Sequence, residues 1–516
     1  MGVPNEFDVT FVGAGVGALA AAALLARGGK RVRIIERTVA AGGKACVRRE
    51  AGFVYDEGPS ILVLRKVYED LFSRLGLRME EHLVLDDLAT SFHVRGLDGR
   101  GFRIAREFEA TLASVREGLG ATAAQELRAF VTGLDAFARV IGLSYADRTF
   151  SHWLDFAHPR LVASGLFVSP FSKYEAYIDA RVRDPLLREF LAGFPGYAGF
   201  HPAEAPASLA LLPWSIFREG VFYPRGGVSA IPNALRRVAE DAGAVFRFGA
   251  SVERFHCEEG AGGTRKVTSG SPSRVTRLHL EGGETLEIGT REQLVFGGCL
   301  GWLATVGAPE LFPTTQRNAY AAQSPSFFTV QAALPRALRE GWGLAHHNLF
   351  LPLRDAEGYK SYFEPGTAYP EMPPLYLNIP TVSDPSLAPQ GFDNAFLVVS
   401  VASHLDAARA EAEATAYARQ CEGWLAAHLP GFAFAPPPSP LAVKASPRFE
   451  RELLQKGGQI YGPSLRTAQT LAGFARPHPR LPGTRNFWLV GGSTQPGAGL
   501  PMVIQSGKIV AEALLR

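Results

Sequence analysis

The chain has 516 residues with 53 basic and 50 acidic side chains, and 47% of it is hydrophobic against 20% charged. That composition excludes a mostly disordered, collagen-like or coiled-coil chain, and at roughly 150 residues per domain the length suggests about three compact units. A net charge of +3 is far from the dense positive field a duplex-binding protein needs, so no nucleic-acid partner is expected. Cys46, Cys257, Cys299 and Cys421 are scattered, without the C-x-x-C spacing of a zinc site or redox dithiol, a pattern that fits a reducing cytoplasm. No run reaches the roughly 18 to 20 uncharged apolar residues of a membrane span. The start, MGVPNEFDVT, shows no basic region followed by an apolar one and is not read as a secretory signal. The excess of 34 Phe over 14 Tyr and 6 Trp fits either a big core or a large apolar cavity.

In chain order, Asp8 to Val12 predicts a buried parallel strand that runs straight into Gly13, Gly15 and Gly17. The alanine-rich segment Leu19 to Arg27 predicts a helix closed by Gly28 and Gly29, and Arg31 to Ile35 a second strand ending at Glu36. This is a βαβ unit. Its glycines let the backbone approach a pyrophosphate, the helix N–H groups bind it, and the acid after the second strand accepts ribose hydroxyls. The third small position is Ala18 rather than glycine. At the far end, Asn486 to Val490 predicts another buried strand breaking into Gly491 and Gly492, with Gly497 to Pro501 leading into a helix to Leu515. A second helix N-terminus suits a flavin, whose ribityl chain and ring lie beyond the pyrophosphate, whereas a plain NAD domain has no use for it.

GAGVGALAAA, IIERTVAAGGKA, YDEGPSIL, FYPRGGVSAIPNAL, TVSDPSLAPQG and LVGGSTQPGAGLPMVIQSGKIVA together resemble the bacterial phytoene desaturase family of FAD-dependent carotenoid desaturases. The likeness covers nearly the whole chain. The first and Gly-Gly-Lys segments are shared by many flavin amine oxidases. Asp384 to Pro389, Leu344 to His347 and Gly497 to Pro501 discriminate better. The resemblance implies an α/β fold: a glutathione-reductase-like Rossmann domain that binds FAD, and a mixed-sheet plus helical substrate domain. The FAD part is expected in stretches 1–100, 220–305 and 480–516, and the substrate part in 101–219 and 306–479. FAD is expected on Gly13, Gly15, Gly17, Ala18, Glu36, Arg37, Gly43, Lys44, Ala45, Gly58, Pro59, Ser60, Val252, Gly491, Gly492, Gly499, Pro501 and Met502, with no metal. Lys44 departs from the family's arginine, exchanging a bidentate fork for a point charge, and Gln495 stands where His is frequent.

Within the substrate stretches, residues 108 to 145 predict helix, and Ser326 to Ala333, Leu375 to Ile379 and Ala395 to Val401 predict strands. Segment Glu258 to Arg274 predicts a solvated insertion between two strands of a hairpin, and Pro436 to Pro438 a rigid loop. Desaturating a polyene moves a hydride to the flavin and a proton elsewhere, which demands positioning and exclusion of water more than a strong catalytic cluster. Two places offer a proton acceptor. His152 lies three residues from Asp155 in an expected helix, with a surface pair as the alternative, and His347 follows the family pattern, with a packed histidine as the alternative.

A C40 hydrocarbon has to come from a bilayer. Leu161 to Phe171 and Pro206 to Phe217 are low in charge and flanked by Arg160, Lys173 and Arg218, so each predicts either an interfacial segment or core. The leading expectation is a cytoplasmic, membrane-peripheral FAD-dependent desaturase of an acyclic C40 carotenoid. A desaturase of a hydroxylated or half-cyclised carotenoid, a flavin-dependent cis–trans isomerase and a non-enzymatic prenyl-lipid carrier on the same fold are the alternatives.

Overall fold

In the computed structural model, residues 7–142, 146–150, 153–169, 171–201, 203–258, 273–321, 324–352, 369–403, 406–434, 442–454, 458–462 and 476–516 are described. The wholly apolar strand Val9–Val12 is buried at every position. It lies at the centre of a five-stranded parallel sheet in the order Phe487–Leu489, Gln293–Phe296, Val9–Val12, Val32–Ile35, Val245–Arg247. Strands covered on both faces need no polar alternation, which is why these segments read as unbroken apolar runs.

One cover is the helix Val16–Arg27, in which all but Leu24 and Arg27 are buried. It packs between the helices Leu500–Leu515 and Ala230–Asp241. Its alanines follow from that closeness, since a Cβ on Gly507 would lie 2.4 Å from Gly17 O and 3.0 Å from Ala20 Cβ. The other face carries an antiparallel sheet of Val252–Glu258, Arg274–Leu280 and Thr285–Glu287. Phe255 and Leu278 there share a core with Val12, Ile35, Phe296 and Phe487.

A second, seven-stranded mixed sheet runs Ala442–Lys444, Ser326–Pro335, Phe392–Val401, Leu375–Asn378, His347–Leu351, Thr90–Gly96, Gly101–Ala105. All its pairs are antiparallel except His347–Leu351 with Thr90–Gly96. Thr90–Gly96 precedes residue 100 in sequence yet belongs to this second sheet. Of the stretch expected to be helical, 108–145, residues 143–145 lie outside the described ones and the rest holds two helices, Phe108–Leu119 and Ala121–Ile141, parted at Gly120, whose φ of 98° only glycine adopts cheaply. These helices pack with Phe190, Phe194 and Phe217 into an aromatic layer over the sheet. The expected α/β class, a parallel nucleotide-type sheet beside a mixed sheet with helices, is the architecture observed. Most of the Glu258 to Arg274 insertion and Pro436 to Pro438 lie outside the described residues. Among the described residues no helix is long and apolar enough to cross a membrane.

Candidate functional site

One cavity of about 2850 Å³ joins the two sheets, and every residue expected to hold the cofactor lines it. Small-ligand sites occupy roughly 300 to 1,000 Å³, so this space is large enough for more than one bulky ligand. At one end stand two helix N-termini, Val16–Arg27 after Gly15 and Leu500–Leu515 after Gly499, neither capped by a side chain. Their first-turn N–H groups are thereby left for an anion. The three glycines of the first loop do different things. A Cβ on Gly15 would touch only Gly297 O, at 4.0 Å, and would otherwise stand in the cavity, whereas one on Gly17 would lie 2.8 Å from Val503 O. Gly15 keeps the cradle open and Gly17 lets two helices meet.

Glu36 is 8% exposed. Its Oε2 accepts from Ala14 N at 2.7 Å, and its Oε1 accepts from Thr38 N and Thr38 Oγ1, both at 2.8 Å. The carboxylate thus pins the glycine loop to the second strand while facing the cavity. The Gly-Gly-Lys turn is tied to the same loop, since Gly42 N donates to Ala14 O at 2.8 Å. Gly58 is forced by closeness, because a Cβ there would fall 1.8 Å from Lys44 O. Residues 58 to 60 are therefore pressed onto the Lys44 backbone at the cavity wall.

Two cations close this end. Lys44 donates to Ile460 O. Arg476 is 5% exposed and donates through one nitrogen to Tyr461 O at 2.8 Å and to Gly492 O at 2.6 Å. Burial pushes Lys44 down to about 8, aided by the like charge of Arg476, and burial pushes Arg476 down to about 10. Among the described residues neither cation has a carboxylate partner. Uncompensated buried charge is costly, and a buried Arg476 with a half-buried Lys44 beside two open helix N-termini would suit a bound dianion such as a pyrophosphate.

A protein-family model described as flavin containing amine oxidoreductase matches residues 19–281. The chain is 31% identical to a hydroxyneurosporene desaturase of Rhodobacter capsulatus, over 99% of this chain and 98% of that one. It is 30% identical to a zeta-carotene-forming phytoene desaturase of Myxococcus xanthus, over 98% of this chain and 93% of that one. The chain belongs to the bacterial phytoene desaturase family, within the flavin-containing amine oxidoreductases. A cyclohexylamine oxidase of Brevibacterium oxydans has the same fold, with a TM-score of 0.58 at 15% identity over 99% of each chain. The cofactor of this desaturase-family chain is FAD. Among the described residues, the open cradle at Gly15, the carboxylate of Glu36, the start of the helix at Gly499 and two cations without a carboxylate partner all border the one cavity.

The rest of the cavity has a largely apolar wall of Phe92, Leu349, Leu351, Phe396 and Val398 of the mixed sheet and Phe190, Phe194 and Leu212 of the helical layer, with Asp135, Glu189 and Glu219 among its polar lining. His347 does not line it. The ring is fully buried, Nδ1 lies 2.8 Å from Tyr376 Oη, and it is Tyr376 that reaches the cavity. Burial, then the neighbouring His346, holds the His347 imidazole well below its usual range. His152 lies outside the described residues, and its expected partner Asp155 sits in the short helix Trp153–Ala157. Pro206 to Phe217 is core and cavity wall. Ile216 and Phe217 are buried in the aromatic layer, and Arg218, expected to meet headgroups, instead pairs with Asp135 at 2.7 Å while Trp214 Nε1 donates to the same carboxylate. An apolar run of helical period cannot distinguish a lipid face from a protein face; here the phenylalanines of neighbouring helices claim it.

Arg476 and Tyr376 escaped the sequence reading because neither lies in a spaced motif; the only signals were an arginine among prolines in ARPHPR and a lone tyrosine in a strand. Gln495 holds Phe150 at both ends, accepting from its N at 2.8 Å and donating to its O at 3.0 Å. An amide with one donor and one acceptor suits that clamp.

Asp56 sits behind the 58–60 loop, fully buried, accepting from Tyr223 Oη at 2.8 Å and Val228 N at 2.9 Å. Burial pushes its carboxyl up to about 6 against those bonds. The folded state therefore holds a proton between about pH 4 and 6 that the unfolded chain has released, and stability falls by roughly 3 kcal/mol as pH rises through that window. Thermal melts at pH 4.5 and 7 should show this slope in the parent and a flatter one in Asp56→Asn; equal slopes would remove Asp56 as its source.

Proposed function

We propose that this chain desaturates an acyclic C40 carotenoid that it takes from a membrane surface. One observation carries the reading: the nucleotide end and the phenylalanine-lined end belong to a single continuous cavity. When bound, FAD supplies a hydride acceptor. The chain's own part is to hold one C–H bond against that acceptor, exclude water with the apolar wall, and take away a proton. Expression in cells that accumulate phytoene, or neurosporene and its hydroxylated derivative, tests it. Longer-wavelength pigment is expected, and unchanged pigment with every carotenoid would sink the reading.

Access from a bilayer is supported at the rim. Val162 and Phe171 both line the cavity and are 61% and 75% exposed, with Leu166 at 85% and Phe167 at 46% beside them. Ser164 and Val168 point inward from the same segment. Such a cluster of exposed apolar side chains marks a contact surface, and Arg160 and Lys173 flank it for anionic headgroups. Each large side chain contributes about 1.5 kcal/mol or more on burial in the acyl boundary. Leu166→Ser with Phe167→Ser should therefore weaken partition onto anionic liposomes about 100-fold with the flavin spectrum intact. Loss of FAD instead would place these residues in the core.

A further inference from the structure

Tyr376 stands between the cavity and His347. It lies on Leu375–Asn378, opposite Leu349 of the neighbouring strand, and both line the cavity. Its hydroxyl is 2.7 Å from Ser60 Oγ and 2.8 Å from His347 Nδ1. His347 is two and four residues from Leu349 and Leu351, so it points to the same sheet face as those cavity residues, yet it is closed off. Phe92 at 4.9 Å, His346 at 4.4 Å and Tyr376 at 5.8 Å, ring centre to ring centre, surround it. The titratable groups nearest it are His346 and Tyr376; beyond His346 come Tyr223, ring centroid 4.6 Å from His346, and the Asp56 it bonds. Among the described residues His347 Nε2 has no hydrogen-bond partner. An orphan buried nitrogen costs about 1 to 3 kcal/mol, which a hydrocarbon side chain at this place would avoid. Through its hydrogen bonds the imidazole communicates with the cavity only by the phenol.

We propose that Tyr376 Oη receives the substrate proton and passes its own phenolic proton to His347 Nδ1, making Tyr376 a catalytic residue and His347 the group behind it. This rests on the desaturase reading. With FAD bound as the acceptor, one carbon would give up a hydride with its electron pair. The C–H bond of the adjacent carbon then breaks, its pair becomes the new π bond, and its proton joins Tyr376 Oη as the former O–H proton moves to His347 Nδ1. The products are the alkene, the reduced cofactor and an imidazolium. A delocalised polyene cation is a strong carbon acid, so a weakly basic histidine suffices. The same burial that weakens His347 makes the imidazolium short-lived, and the proton returns through Tyr376 to Ser60 and the cavity once product has left. An ionised base in direct contact would instead place a permanent charge against the polyene.

The test uses Tyr376→Phe in the flavin-loaded protein, with chemically quenched single turnovers that measure alkene formed. The expected result is a loss of about 100-fold or more with FAD content unchanged, and a solvent deuterium effect on the parent that the variant lacks. Independently of turnover, protein labelled with ¹⁵N in histidine should show an unprotonated Nδ1 on His347, identified by its absence in His347→Gln. That signal should shift in Tyr376→Phe. A Tyr376→Phe rate within threefold of the parent overturns the proposal alone, as does an Nδ1 that carries the proton. A parent that oxidises none of the carotenoids offered overturns the desaturase reading and the proposal with it.

Discussion

Glu36→Ala should leave a protein that folds but loses FAD on dialysis. The carboxylate accepts from Ala14 N and from both donors of Thr38, so it holds the first glycine loop in place before any ligand arrives. A carboxylate has about four lone-pair directions, and the Glu36 side chain lines the cavity, which leaves capacity for ribose hydroxyls. Each charge-assisted bond contributes about 1.5 to 3 kcal/mol. Alanine removes the bonds to the ligand and frees the loop that cradles the pyrophosphate, so affinity should fall at least 100-fold. Glu36→Gln keeps one acceptor for Ala14 or Thr38 and should fall in between. Titration of apo-protein with FAD by flavin fluorescence measures both. Alanine protein that binds like the parent would mean that the second strand does not end at the ribose.

Arg476→Met should weaken FAD by about as much, for a different reason. The arginine bridges Tyr461 O and Gly492 O from a nearly fully buried position and, with Lys44, supplies the positive charge of that wall. Methionine fills similar volume but leaves two carbonyls without their donor, at about 1 to 3 kcal/mol each, and halves the charge facing the phosphates. Roughly 100-fold weaker FAD binding is expected. Arg476→Lys, which retains charge but not the planar fork, should recover part of it. The free protein separates a binding role from a structural one. Two cations without an anion repel, so Arg476→Met should melt closer to the parent in the apo form than in the FAD form. A larger loss in the apo form would make Arg476 a purely structural bridge.

The nucleotide half was legible because its physics is local. Glycines, helix start and terminal acid of a βαβ unit lie within about thirty residues, and each must be that residue type for a backbone reason: Gly15 for an open cradle, Gly17 and Gly58 for contacts with no room for a methyl group. The strand ends also fell within one or two residues, at Val9–Val12, Val32–Ile35 and Phe487–Leu489, because the apolar runs stop where the parallel sheet stops. Elsewhere, the stretch 108 to 145 read as helical without a break, and its described part holds two helices parted at Gly120.

The sequence by itself thus determined a nucleotide-binding α/β fold through short-range spacing and backbone-dictated glycines, while the family and its FAD came from the resemblance of motifs spread over nearly the whole chain. Only the tertiary structure decided which side chains face the cavity. His347 and Tyr376 are 29 positions apart, and their strands bring the phenol to the cavity and the imidazole behind it. Leu161 to Phe171 and Pro206 to Phe217 are equally apolar as text, yet one turns Leu166 and Phe171 to solvent while the other sinks Ile216 and Phe217 into the phenylalanine layer. Apolar surface is buried by whatever lies opposite, and what lies opposite is settled by chain folding over hundreds of residues.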